Sequence, residues 1–183
     1  LKSTLRRTTM STSAKRLFWI SLIGTIAAVA THVYLTKHHY EFKNGQGSEG
    51  GSCNISSTIN CDMTTASSYS EFFGIPVSIL GGLINFAFLL FLIGWRFPVV
   101  KPETQRALGG TLKLMASGIF AVSVVMAVLS YGVLKTVCPA CTTAYVLSLI
   151  VLISTWMMTE KGSLFSKLDV KLYPITAITI LLF

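Results

Sequence analysis

The sequence predicts an all-α membrane protein, a bundle of four transmembrane helices with an outward-facing loop that caps it, and three observations carry that prediction. Of 183 residues, 52% are hydrophobic and only 12% are charged, with a mean hydropathy of +0.66. The apolar residues fall in unbroken blocks instead of on periodic faces, as in helices surrounded by lipid. The basic residues are sorted into alternate connecting segments, as the insertion of a multi-pass chain requires.

Four stretches run without Asp, Glu, Lys or Arg: 17–35, 75–95, 114–134 and 142–158. About 20 helical residues cross the hydrocarbon core, so the first three suffice as they stand. The fourth has 17 residues, and 21 when counted from Cys138, which brings residues 138–141 to the mouth of the helix. A further apolar stretch, 174–183, has ten residues and reads as the start of a fifth helix, cut off. The expected division is an N-terminal segment over 1–16, a membrane domain over 17–158, and a tail over 159–183. The first span has a basic flank like a secretory signal. Its apolar run is longer than a signal core, though, and Thr31, His32, Val33, Tyr34 and Leu35 make no small-residue cleavage site, so it reads as an uncleaved anchor. Met10 would be an equally good start, which makes the nine residues ahead of it an upstream extension.

Orientation follows from charge. Lys2, Arg6, Arg7, Lys15 and Arg16 precede the first span; Arg96, Lys101, Arg106 and Lys113 follow the second; Lys161, Lys167 and Lys171 follow the fourth. These are 12 of the 15 basic residues, and positive segments stay in the cytoplasm. The N-terminus is therefore expected inside and all four cysteines outside, in a compartment permissive of disulfides. The net charge of +8 is accounted for by inner-face Lys and Arg meeting anionic lipid. No basic stripe with interleaved aromatics suggests a nucleic-acid partner.

The first outer loop, 36–74, is the one sizeable region expected outside the bilayer. Residues 44–52 form a Gly- and Ser-rich tract just ahead of Cys53, a tether that would let Cys53 move. Residues 67–76 mix polar and aromatic side chains and read as a short cap over the bundle mouth.

The chemistry centres on cysteine. Cys53 and Cys61 lie in the outer loop, while Cys138, Pro139, Ala140 and Cys141 open the fourth span. A CxxC at a helix start has its thiolate favoured by the dipole and free N–H groups, and proline suits the first turn. Such a pair can close a disulfide or open it to pass on two electrons. Cys141, one turn deeper, stands nearer the lipid zone where a quinone dissolves, and Cys138 stands nearer the loop. A purely structural disulfide or a four-cysteine zinc site are the competing readings. Zinc needs four thiolates converging permanently, for which a flexible Gly-rich arm is an odd scaffold, so no metal is expected.

These residues together resemble the vitamin K epoxide reductase family, bacterial branch. The resemblance covers roughly 18–158 and rests on Cys53 and Cys61 eight apart, Ser67 six beyond, Phe73 and Gly74 leading into the second span, and Cys138, Cys141 and Tyr145. It implies four helices around a quinone (ubiquinone, menaquinone or vitamin K) reduced by the CxxC. Electrons would come through the loop pair from a thioredoxin-like partner, separate or fused downstream. It further implies that Cys141 faces the quinone, that Cys138 exchanges with Cys61, that Cys53 meets the partner, and that Ser67, Phe73 and Tyr145 belong to the quinone region. The implied setting is a bacterial inner membrane, and the implied role is disulfide formation in exported proteins.

The alternatives are a vitamin K epoxide or quinone reductase of the eukaryotic type and, in another class, a disulfide-stapled membrane scaffold without catalysis. Animal members carry an asparagine at the start of the second span, where this chain has none before Asn85; that favours quinone reduction over epoxide reduction. An unrelated class of four-helix, four-cysteine oxidases places its CxxC in the first outer loop, the reverse of the order here.

Weaker signals get plainer readings. His32, His38 and His39 read as interfacial histidines, and Trp19, Trp95 and Trp156 as interfacial belt residues. Gly81, Gly82, Ser117, Gly118, Ser123 and Ser130 read as small residues that let helices pack closely.

Overall fold

A computed structural model describes residues 12–45, 53–56, 58–96 and 102–159. The extension ahead of Met10, most of the Gly- and Ser-rich tract and the start of a fifth helix lie outside the described residues.

Helix α1 spans Thr12–Lys43, and α2 is a single short helix at Cys61–Ala66. A two-stranded antiparallel ribbon follows, β1 at Glu71–Phe72 and β2 at Ile75–Pro76. Helix α3 covers Val77–Arg96. Helix α4 covers Pro102–Val128 and ends in a π-turn at Leu129–Val133. Helix α5 covers Pro139–Met158. Four of these helices are long and apolar enough to cross a membrane, and this is a multi-pass, all-α membrane bundle.

Two boundaries differ from the sequence reading. Helix α1 has 32 residues, about 48 Å at 1.5 Å per residue, so it runs well past a hydrocarbon core of about 30 Å. The loop expected from residue 36 is therefore helical as far as Lys43. Its polar turns are supported by the Lys37–Glu41 pair at 3.5 Å, spaced for a helix face. The second span begins at Val77 and not at residue 75, because Ile75 and Pro76 pair with Phe72 and Glu71 in the ribbon. The turn between the strands needs two left-handed residues, supplied by Phe73 at φ 52° and Gly74 at φ 78°; glycine takes that conformation freely and phenylalanine under strain.

The long helices form a ring in which α1 and α4 each pack against α3 and α5. One end holds the apolar core: Phe88, Leu92, Leu112, Ala116 and Val151 are fully or nearly fully buried, joined by Phe18, Trp95 and Met158. Trp95 is thus a core residue and not a belt residue. Its indole N–H donates to the Gln105 carbonyl at 3.1 Å, tying α3 to α4. Trp19 and Trp156 are exposed, as belt residues should be. Of the small residues expected to let helices pack closely, Gly81 and Gly82 lie against His32 of α1, whereas Gly118, among the described residues, has nothing within 4 Å of where a Cβ would stand. At Gly81 a Cβ would stand 2.9 Å from His32 Nδ1, and Gly24 abuts Val151. The outward faces carry Ile23, Leu83 and Val128 exposed, a surface that lipid covers.

Candidate redox site

The far end of the ring holds a second cluster, made of Cys53, Cys61 and Cys138 with Leu35, Ala140 and Cys141 packed on it. Each sulfur is placed by a local feature of the chain.

Cys138 is the N-cap of α5, and its sulfur accepts the Cys141 backbone N–H at 3.2 Å. Pro139 follows at the first helical position, where a missing N–H costs nothing. The Cys138 carbonyl accepts both the N–H and the hydroxyl of Thr142, each at 2.9 Å, which locks the first turn. Cys61 opens α2 in the same manner: Asn60 is the N-cap, its side chain accepting from Met63 N–H at 3.1 Å.

The loop docks on the CxxC segment by a short parallel bridge between Ile59 and Val137. Asn60 N–H donates to the Val137 carbonyl at 3.1 Å, and Val137 N–H to the Thr58 carbonyl at 2.8 Å. These bonds set the two pairs against each other. Cys53 and Cys61 are disulfide-bonded, as are Cys138 and Cys141. Between the pairs, Cys61 Sγ and Cys138 Sγ are 3.4 Å apart, and both residues are 1% exposed. The four sulfurs thus form one continuous series, 53–61–138–141. Those of Cys53, Cys61 and Cys138 lie within 4.8 Å of one another, close enough for a metal if all were thiolates. As disulfides they carry no such charge.

The extension of α1 fixes the cap. His38 Nε2 lies 3.2 Å from Asp62 Oδ1, and His39 Nε2 lies 3.0 Å from Glu71 Oε1. Lys43 also pairs with Glu71. The Lys43 ammonium, with help from His39, holds the Glu71 carboxyl below its ordinary range. Of the three histidines read from the sequence as interfacial, His38 and His39 meet the cap from α1, whereas His32 lies against Gly81 of α3.

Beside Cys141 lies a small cavity of about 40 Å³, to which Ser67 of the cap, Tyr145 of α5 and Ser130 of the π-turn contribute. Three of the expected quinone-region residues, Cys141, Ser67 and Tyr145, therefore converge. Phe73 does not join them: it is 92% exposed at the ribbon tip, stacked edge-on against Phe72. The π-turn widens the end of α4 at this point, and such turns recur at functional sites. Tyr131 within it meets Tyr145 edge-on at 6.4 Å and shares a 2.6 Å hydrogen bond with Thr142. Sequence reasoning missed Tyr131, Asn54 and Asp62, and read Ser130 as a helix-packing residue where it also lines this cavity. Nothing in a run of apolar or loop residues marks these roles, because the partners are brought in by the fold. An apolar groove of about 350 Å³ between α4 and α5, lined by Leu152, Trp156 and Met157, contains no cysteine.

Two disulfides in contact, one in a capping loop and one at the start of a membrane helix, match a known pattern. The model of the vitamin K epoxide reductase family matches residues 17–156. The chain belongs to the vitamin K epoxide reductase family. The matched region takes in all four membrane helices, the cap and the four cysteines, and the chain is a redox-active membrane oxidoreductase. No individual curated protein matches the sequence.

Proposed function

We propose that the chain is a thiol:quinone oxidoreductase, which takes two electrons from a thioredoxin-like dithiol and delivers them to a lipid-soluble quinone. The observation that carries this reading is the 3.4 Å contact between Cys61 Sγ and Cys138 Sγ, a separation from which one disulfide can exchange with the other.

A partner thiolate attacks Cys53 Sγ, the Cys53–Cys61 bond breaks, and Cys61 leaves as thiolate. The partner's second thiol displaces Cys53 and takes away the new disulfide. Cys61 attacks Cys138 Sγ, breaking the Cys138–Cys141 bond and freeing Cys141. Cys53 then attacks Cys61, which restores the loop disulfide and releases Cys138. The CxxC is left as a dithiol holding two electrons and two protons. A bound quinone accepts both and becomes a quinol, while Cys138–Cys141 closes again.

Cys141, Tyr145 and Ser67 would hold the quinone. The Tyr145 hydroxyl is the natural donor to a quinone oxygen. Ser67 donates to the Thr64 carbonyl at 2.7 Å and so secures the cap end over the site. A space of about 40 Å³ is close to the share of a single water, about 30 Å³, and smaller than a typical ligand pocket of roughly 300 Å³ or more. A ring is larger than this space, so on this reading the quinone enters as the cap end and the end of α4 move apart.

The distribution of Lys and Arg supports an orientation with the cysteines outside the cytoplasm. A bacterial inner membrane, with disulfide formation in exported proteins, fits that side. The test is turnover of the purified protein with a dithiol donor and a quinone. Quinol formed in proportion to dithiol consumed supports the reading; none formed would leave a disulfide-stapled scaffold. Consumption of the epoxide of vitamin K in preference to quinone would assign the eukaryotic activity instead.

A further inference from the structure

The relay just described, on which this inference rests, contains an interval in which no covalent bond joins Cys53 to Cys61. After Cys61 has bonded to Cys138, Cys53 must still be at hand to attack it. A loop freed from its disulfide pays entropy to bring its ends together again, and the sequence ahead of Cys53 is rich in glycine. Something other than the disulfide has to hold the ends.

Asn54 spans that gap. Its Oδ1 accepts the backbone N–H of Cys61 at 3.0 Å and that of Asp62 at 3.4 Å. Its Nδ2 donates to Asp62 Oδ2 at 2.6 Å. Both faces of one amide are thus engaged by the two residues that begin α2, across a separation of seven residues in sequence. A second tie lies behind it, where Ile55 N–H donates to the Ile59 carbonyl at 2.9 Å. Asp62 Oδ1 in turn lies 3.2 Å from His38 Nε2 of α1. None of these bonds uses a sulfur, so all can persist when the Cys53–Cys61 disulfide opens.

We infer that Asn54 is a positioning residue for the relay: its amide, docked on the Cys61 backbone and on the Asp62 carboxylate, keeps Cys53 facing Cys61 through the steps in which no disulfide joins them. Asp62 is its partner. The clamp raises the effective concentration of Cys53 at Cys61, so it favours the closed loop disulfide and suppresses the Cys61–Cys138 form. It also explains why Cys53, though next to a glycine-rich tract, is buried.

The experiment is a redox titration of the full chain in detergent or nanodiscs with reduced and oxidised glutathione, quinone omitted. The four cysteines are alkylated and mapped by mass spectrometry without reduction. Asn54→Ala should lower the equilibrium constant for closing Cys53–Cys61 by about tenfold, the worth of one or two hydrogen bonds. The Cys61–Cys138 species should rise in proportion. Asn54→Asp alone, which turns a carboxylate toward Asp62, should do at least as much. The exchange N54D/D62N restores one carboxylate and one amide and should return the equilibrium to within about twofold of wild type. An unchanged equilibrium in Asn54→Ala would overturn the inference. So would a double variant whose loss equals the sum of its two single variants, which also decides the matter should Asn54→Ala fold poorly. Because no quinone is present, the result is independent of whether quinone is the acceptor; conversely, a quinone reductase without this clamp would still turn over.

Discussion

The two ends of the bundle are held by different forces. At the end away from the cysteines, Phe88, Leu92 and Leu112 are completely buried against Val151 and Ala116, and close packing dominates, with a few hydrogen bonds between elements, Trp95 to the Gln105 carbonyl and Ser21 to Thr155, set into it. At the other end, the contacts are separate and directional. The Ile59–Val137 bridge, the Asn54–Asp62 clamp, the His38 and His39 contacts and two disulfides each join one residue to one other. Packing of the first kind fails or holds as a unit. Bonds of the second kind can be exchanged one at a time, which is what the proposed relay asks of the cysteine end while the helices stay in place.

The largest effect that would break this contrast is chemical. Cys141→Ala should reduce quinone reduction to background while leaving helix content and detergent unfolding close to wild type; turnover near the wild-type rate would remove Cys141 from the reaction. The opposite pattern is expected at the packed end. Phe88→Ala opens a cavity where the side chain is fully buried and should cost about 3 kcal/mol of stability, read by unfolding in mixed micelles, with the folded fraction retaining its disulfide exchange. The smallest effect concerns the cap. The Glu71 carboxyl is held below its ordinary range, first by Lys43, so its contribution is fully present above the ordinary carboxylate range and is lost as pH falls through the depressed value. The hydrogen-exchange protection of residues 67–76, taken relative to the intrinsic amide rate at each pH, should therefore fall at acid pH in the wild type. In Glu71→Gln it should already be low at neutral pH, with no change in α3 or α5.

Much of this was legible in the sequence, for a physical reason. Lipid makes the membrane spans conspicuous, since a helix buried in hydrocarbon tolerates almost no charge, and residues 114–133 and 142–158 lie inside helices, one residue short of the expected end of the third span. The CxxC at the start of α5 was equally legible, because Pro139 and a capping side chain are local signals. The top of α1 was not: Lys37, His38, His39 and Glu41 look like loop residues by hydropathy, and the helix continues because those side chains find Glu71, Asp62 and one another. The placement of Phe73 could not be read either, since a tight two-residue turn, not the cavity, decides where its ring goes. Asn54 and Asp62 are ordinary polar residues until the fold brings them together, and Trp95 differs from Trp19 only in facing a neighbouring helix.

The central claim is that the two disulfides communicate through Cys61 and Cys138, and removing Cys53 tests it most directly. In Cys53→Ala the Cys61 thiolate, 3.4 Å from Cys138 Sγ in the parent structure, should open Cys138–Cys141 and remain bonded to Cys138, with Cys141 left as a free thiol. Nothing on the loop side is then able to resolve it. Mass spectrometry of alkylated, unreduced peptides should find the Cys61–Cys138 bridge as the predominant species. A bridge from Cys61 to Cys141, or an intact Cys138–Cys141 disulfide beside a free Cys61, would contradict the account.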